Sequence, residues 1–222
     1  MKSIAIDGPA GAGKSTLAKA LAKKLGYLYV DTGAIYRCVG LYAIEHGIAP
    51  RDIPAVEACL PKVEISLTYD ESGSQRMQLC GADVTERIRT PEVSMAASAV
   101  SAIPAVRAFL LDMQRDMARR YDVIMDGRDI GTVVLPHADV KIFLTASPEA
   151  RAKRRFIELQ AKGDPASYEE VLRDMIKRDK DDSTRAAAPL KAAEDAVLLD
   201  TTPYSLDESI ALLQKIVEEK MV

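Results

Sequence analysis

Residues Gly8–Thr16, GPAGAGKST, gather three glycines, one lysine and two hydroxyls in nine positions. Such a stretch cannot pack a core, and its chemistry is that of anion capture. Gly8 to Ser15 fits G-x-x-x-x-G-K-[ST], in which glycines let backbone N–H groups turn inward onto a phosphate. Lys14 is placed to reach the terminal phosphates of a nucleoside triphosphate, and the Ser15 hydroxyl to bind Mg²⁺. A chance match in a chain of this composition is about a one-in-a-hundred event. The loop Gly8, Pro9, Ala10, Gly11, Ala12, Gly13, Lys14, Ser15 and Thr16 is therefore expected to hold a triphosphate.

Holding a triphosphate does not say where the phosphoryl group goes. Three further charged clusters lie near the C-terminal ends of predicted strands or at a helix end, where ligands bind in α/β sheets. DTGAIYR offers Asp31, Thr32 and Arg37; DGRDIGT offers Asp126, Arg128 and Asp129; RDKDDSTR offers Arg178, Asp182 and Arg185, with Arg107 joining from a long helix. Arginine suits bidentate phosphate recognition and the charge of a transferred phosphoryl group. No N-K-x-D guanine motif accompanies the loop. A small-molecule kinase is the favoured reading. A kinase for UMP, AMP or shikimate, and a phosphate-loop protein that regulates a partner without an acceptor site, stay open as rivals.

Positioning these residues requires a particular order of elements. SIAI reads as a strand buried on both faces, and KSTLAKALAKKL as a helix with an apolar stripe at Leu17, Ala20, Leu21 and Leu25, stopped by Gly26. YLYVD is a second strand and GAIYRCVGLYAIEHG a second helix. Strands are expected at residues ~2–6, 28–31, 122–126, 140–144 and 197–200, giving a five-stranded parallel sheet flanked by helices. Between them, residues ~50–100 break the pattern. A short helix at ~52–59 and an antiparallel hairpin with a turn at DESGS look like an inserted module. SPEARAKRRFIELQAKG and YEEVLRDMIKRDKDD are helices crowded with charge, and Ser205 with Glu208 forms a capping box before the last helix.

Bulk composition is that of an ordinary globular chain: 222 residues, 48% hydrophobic, 28% charged and a net charge of −3. No global field draws it to nucleic acid, so a nucleotide must be caught by local positive charge. Cys38, Cys59 and Cys80 are widely spaced and suggest free thiols in a reducing compartment rather than disulfides or a zinc site. The short apolar run at the N-terminus is no signal peptide, and no run is long enough to span a bilayer. A cytoplasmic monomer without a nucleic-acid or membrane partner is expected.

Taken together, IDGPAGAGKST, DTGAIYR, DGRDIGTVVLPHADVKIFLTAS, IKRDKDDSTRAAAPL and LDTT resemble the bacterial cytidylate kinases, of the adenylate-kinase-like phosphate-loop fold. The resemblance runs over essentially the whole chain. It implies a single kinase domain over 1–222, a monophosphate-binding region at ~34–100 with a β insertion at ~60–86, and a lid at ~148–170. It implies ATP and CMP or dCMP as substrates, Mg²⁺ bound with ATP, and Lys14, Arg128 and Arg185 as catalytic residues. Arg37, Arg128 and Arg185 would hold the acceptor phosphate and the transferred group, aided by the hydroxyl of Thr32. Ser98, Arg107 and Asp129 would read cytosine, and Arg178 and Asp182 would contact the sugar. Arg151, Arg154 and Arg155 would lie on one face of a short lid-like helix, with Arg154 among the ATP-binding residues. His46 and His137 are not expected to act as bases.

Overall fold

Ser3–Asp7 (β1) is apolar on both faces, and Ile4, Ala5 and Ile6 are wholly buried. That is the pattern of a central strand in a parallel sheet. In the computed structural model, which describes residues 1–161 and 163–221, β1 is the middle strand of five. The others are Leu28–Asp31 (β2), Val123–Gly127 (β6), Val140–Thr145 (β7) and Val197–Asp200 (β8), in the order β2-β6-β1-β7-β8. β1 pairs in parallel with β6 and β7, and β7 with β8. The five expected strands are all present within a residue or two of their expected bounds.

The chain divides into two compact units, residues 1–29 with 120–222, and residues 30–119. In the first, Lys14–Leu25 (α1) and Leu206–Lys220 (α8) pack Leu17, Leu21, Leu213 and Val217 against Ile4, Ile6, Ile124, Ile142 and Leu144 of the strands. Gly26 ends α1 in the left-handed conformation. Ser205 and Glu208 cap α8 reciprocally, as expected. Pro148–Ala161 (α6) and Tyr168–Thr184 (α7) pack through Ala152, Val171 and Met175. α6 spans 14 residues, within the helix expected over SPEARAKRRFIELQAKG. Lys162, within the expected lid segment, lies outside the described residues.

The second unit is built around Thr32–Glu45 (α2) and Pro91–Val100 (α4), with Ile53–Cys59 (α3) and Pro104–Arg120 (α5). Its hairpin, Ile65–Tyr69 (β3) and Gln75–Leu79 (β4), is antiparallel, and a short third strand, Ala82–Asp83 (β5), extends it. One core runs from Ile35, Val39 and Val56 through Met77, Leu79 and Ile88 to Val106 and Leu110. The hairpin and helices of this unit thus share a single apolar interior. The three cysteines are free thiols, with Cys38 and Cys59 buried and Cys80 exposed. Burial pushes the Cys38 thiol up to about 12, so it is inert at neutral pH. Among the described residues no single helix is long and apolar enough to cross a membrane.

α2 and α4 approach so closely at Gly40 that a β-carbon there would lie 2.9 Å from the Ala97 nitrogen and 3.2 Å from the Ala96 β-carbon. Backbone cannot step aside as a side chain can. Gly40→Ala is therefore expected to destabilise by about 1–2 kcal/mol, after its gain in helix propensity is counted. Thermal unfolding should show a midpoint lower by roughly 2–8 °C; an unchanged midpoint would mean that α4 yields.

Candidate functional site

The phosphate loop runs from the end of β1 into α1. Gly8 has φ +150°, and a β-carbon there would meet the Leu144 carbonyl oxygen of β7 at 1.9 Å, so only glycine fits. α1 opens at Gly13 (φ 90°) with no acidic residue in its first turn, leaving its positive end uncompensated. Lys14 is buried, and its ammonium donates to the Pro9 carbonyl at 2.7 Å. Burial, followed by the charge of Arg128, pulls its pKa well below the ordinary lysine range. Asp126 and Asp7 act in the opposite sense, and a phosphate would add to their effect.

The Ser15 hydroxyl donates to Asp126 Oδ2 at 2.9 Å, and the Tyr29 hydroxyl to Asp126 Oδ1 at 2.8 Å. A hydroxyl and a carboxylate of this kind, at the mouth of a phosphate loop, form the oxygen donor set that suits Mg²⁺ with its remaining positions on phosphate and water. Its sequence neighbours set Asp126 with the acceptor cluster, and in the structure its carboxylate meets Ser15 of the glycine-rich loop and Tyr29.

Behind the loop sits Arg151, which is only 2% exposed. Its guanidinium donates to the carbonyls of Ala146 (2.8 Å) and Ala10 (2.9 Å) and forms a fork onto Asp179 at 2.5 and 3.1 Å. The expectation that Arg151, Arg154 and Arg155 share one face closing over ATP fails for Arg151, because its side chain is consumed in bracing the loop from inside. The three also differ in their partners. Arg154 donates to the Thr201 carbonyl (2.9 Å) and hydroxyl (3.3 Å), whereas Arg155 is paired with Glu158 at the surface.

Three arginines of the first unit gather around one carboxylate. Asp182 Oδ2 accepts from Arg128 Nε at 2.8 Å, and Arg185 lies 4.0 Å from Oδ1. Burial opposes ionisation of Asp182, but Arg128, Arg178 and Arg185 outweigh it and hold its pKa below the usual carboxylate range. Arg185 also lies 3.7 Å from Asp129 and donates from Nε to the Ala188 carbonyl at 2.7 Å. Asp129 is buried, and its backbone carbonyl opens a single π-helical turn, Ile130–Val134. That turn is tied down by Asp7, whose two oxygens accept the N–H groups of Ile130 and Gly131 at 2.7 Å each. Burial pushes Asp7 up to about 6, against those two hydrogen bonds.

The second unit holds its own pair of arginines. Asp31 caps α2 through the Ala34 N–H (2.9 Å), and its other oxygen accepts from Arg37 (3.4 Å) and Arg89 (2.9 Å). Burial opposes its ionisation, yet the two arginines hold its pKa low. The guanidiniums are partly open, at 22% for Arg37 and 42% for Arg89. Thr32 is buried at the start of α2. Further along, Arg107 donates to the Ser101 carbonyl at 3.2 Å and lies over the Tyr36 ring at 5.5 Å, while the Ser98 carbonyl accepts from the Ser101 hydroxyl. His46 is stacked on Tyr42 and bonded to its carbonyl, and His137 is exposed.

The structure brings Lys14, Ser15, Arg128, Arg178, Asp129, Asp182 and Arg185 into one connected set within the first unit. Within the second it brings Thr32 and Arg37 to Asp31, and Ser98 to Arg107 by way of Ser101. Sequence reasoning missed Arg89, Asp7, Tyr29 and the contact of Asp126 with Ser15. Asp126 carried a signal, since it ends an apolar strand as Asp7 does. Arg89 carried none, lying in the Arg87–Arg89 turn far along the chain from Asp31.

Residues 4–219 match the family model described as Cytidylate kinase. A cytidylate kinase of Caldicellulosiruptor bescii is 52% identical over 216 residues, covering 97% of this chain and 94% of that protein. A cytidylate kinase of Carboxydothermus hydrogenoformans is 51% identical over 217 residues, covering 98% and 97%. A crystal structure of an uncharacterized protein from Eubacterium ventriosum shares the fold, with a TM-score of 0.54, 12% identity and coverage of 98% and 99%.

The different surroundings of two α6 arginines can be tested directly. Arg151→Ala strands Asp179 and two carbonyls and should cost about 3 kcal/mol or more, whereas Arg155→Ala, at an exposed pair, should change stability by less than about 0.5 kcal/mol. Urea unfolding of the two variants reads the difference; equal midpoints would dissolve it.

Proposed function

The chain belongs to the cytidylate kinase family, and from that premise we propose that it transfers the γ-phosphoryl group of ATP to CMP or dCMP, giving CDP or dCDP and ADP. It is an ATP-dependent kinase. What carries the choice of acceptor is identity of about half over nearly the full length of cytidylate kinases. The phosphate loop supports the donor side. Residues ~34–100, with their β insertion at ~60–86, are proposed to bind the monophosphate, and ~148–170 to act as the lid.

The reaction joins an oxygen of the acceptor phosphate to the γ-phosphorus while the bond from that phosphorus to the β-bridging oxygen breaks. No covalent protein intermediate is required. The protein's task is to hold two polyanions in line and neutralise their charge. Lys14 exchanges the Pro9 carbonyl for phosphate oxygens, which offer the same acceptor chemistry with full negative charge. Arg128 and Arg185, already oriented by Asp182, supply positive charge to the transferred group, and Arg37 to the acceptor phosphate. Arg178 and Asp182 act at the sugar, and Arg154 at ATP. Ser15 and Asp126 would hold Mg²⁺, which would supply positive charge to offset that of the phosphates.

Cytosine presents an amino donor where uracil presents a carbonyl acceptor. The carboxylate of Asp129 can only accept, so it favours cytosine, and the guanidinium of Arg107 can only donate, which suits the ring nitrogen and carbonyl. A buried polar group left without its partner rejects an analogue by about 10⁴ or more.

Three measurements test the proposal. ADP formation should depend on added CMP or dCMP and respond weakly to UMP, AMP or shikimate; release of ADP at the same rate without CMP would sink it in favour of a regulatory nucleotide-binding protein. Lys14→Met should stay folded and lose most turnover, about 10²-fold or more, so near-wild-type kcat removes Lys14 from the chemistry. Asp129→Ala should narrow the CMP/UMP ratio of kcat/KM mainly by loss of CMP activity. An unchanged ratio in a folded variant would leave Asp129 a structural residue beside Arg185.

A further inference from the structure

Gln75 is a polar residue only 9% exposed at the first position of β4, and its side chain is turned onto backbone. Its Oε1 accepts the Asp31 N–H at 2.8 Å and its Nε2 reaches the Asp31 carbonyl at 3.4 Å, with Met77 Sδ 3.0 Å from the same nitrogen. The N–H and C=O of one extended residue point the same way, so the side-chain amide pairs with Asp31 as a neighbouring strand would. β2 is an edge strand of its sheet, and this amide covers its last residue. The pairing also fixes which way the amide faces, since the reverse orientation would set donor against donor and acceptor against acceptor.

Asp31 is the residue on which the second unit's two arginines depend. One of its oxygens caps α2 and the other accepts from both Arg37 and Arg89. Two guanidiniums sharing one carboxylate form a fork for a further anion, and the direction of that fork follows the Asp31 backbone. Arg89 itself lies on the turn that follows β5. The hairpin therefore supplies the backbone clamp, and the turn leaving it supplies one of the two cations.

We propose that Gln75 is a positioning residue for the acceptor phosphate: its amide locks the Asp31 backbone, and through Asp31 it sets Arg37 and Arg89 for the monophosphate. This rests on the cytidylate kinase reading above. The β insertion then does more than extend a core, since it tunes affinity for the acceptor while leaving the donor untouched. Leucine at position 75 would keep the volume and lose both hydrogen bonds. Gln78, on the same strand, accepts from the Ser66 hydroxyl with its side chain at the surface and serves as a control for general loosening of the hairpin.

The test compares Gln75→Leu and Gln78→Leu with the wild type, using calorimetric titration of CMP in the absence of ATP, together with KM for CMP and for ATP. Gln75→Leu should weaken CMP binding and raise its KM about 10-fold, with KM for ATP within about twofold, because only the contacts that orient the acceptor arginines are lost. Gln78→Leu should match the wild type within about twofold. The wild-type Asp31 amide should also be protected from hydrogen exchange and lose that protection in Gln75→Leu; if that variant does not fold, Gln75→Met serves in its place. CMP affinity within twofold of wild type, equal losses for ATP and CMP, or an unprotected Asp31 amide in the wild type would each overturn the role of Gln75 while leaving the kinase reading in place. A wild type that neither binds nor phosphorylates CMP would overturn both.

Discussion

Positive charge cannot be stored in a fold without something to hold it. Guanidiniums gathered in one place repel one another, and burial makes the repulsion worse. This protein, acidic overall, resolves the conflict with three aspartates. Asp182 sits among Arg128, Arg178 and Arg185, Asp31 between Arg37 and Arg89, and Asp179 against Arg151. Each carboxylate fixes the direction of its arginines; around Asp182 and Asp31 donor capacity remains for another anion, whereas Arg151 is spent on Asp179 and two carbonyls. The depressed pKa values of Asp182 and Asp31 express the same balance, since burial opposes both charges and the arginines overcome it.

The phosphate loop depends on this arrangement at a remove. Its glycines allow the backbone to turn, but a loop of small residues has no side chains with which to hold itself. Arg151 braces the Ala10 carbonyl from α6, and Asp179 of α7 anchors Arg151 in turn. The close approach of Gly8 to the Leu144 carbonyl fixes the other end against β7. Asp7, the last residue of β1, meanwhile ties down the turn that follows Asp129. The same strand therefore presents the loop on one side and steadies the Arg128–Asp129 segment on the other.

Much of this was legible one residue at a time. Strands β1, β6 and β7 are short apolar runs whose burial on both faces leaves no other assignment, and the G-x-x-x-x-G-K-S loop follows the first of them. Glycine ends α1 as expected, and the capping box opens α8, because these signals act within a few residues of backbone. The residue types at Lys14, Arg37, Arg128 and Arg185 likewise announced anion chemistry before any fold was known.

Sequence alone determined the class of protein, the phosphate loop and the inventory of charges that could serve it. Only the tertiary structure decided which charges do so. Arg151 and Arg155 read alike on a helical wheel, yet one is a buried brace and the other a surface pair, since burial depends on what α7 and the loop bring to each side of α6. Neighbours in the chain set Asp126 with Arg128 and Asp129, whereas folding sets its oxygens on Ser15 and Tyr29. Arg89 and Gln75 lie 58 and 44 positions from Asp31 in the chain, and no local pattern could have joined them to it. Helix and strand periodicity report which side of an element is apolar. The partner of a charged side chain is set by packing between elements distant in sequence, where hydrogen-bond geometry and desolvation choose among many possible pairs.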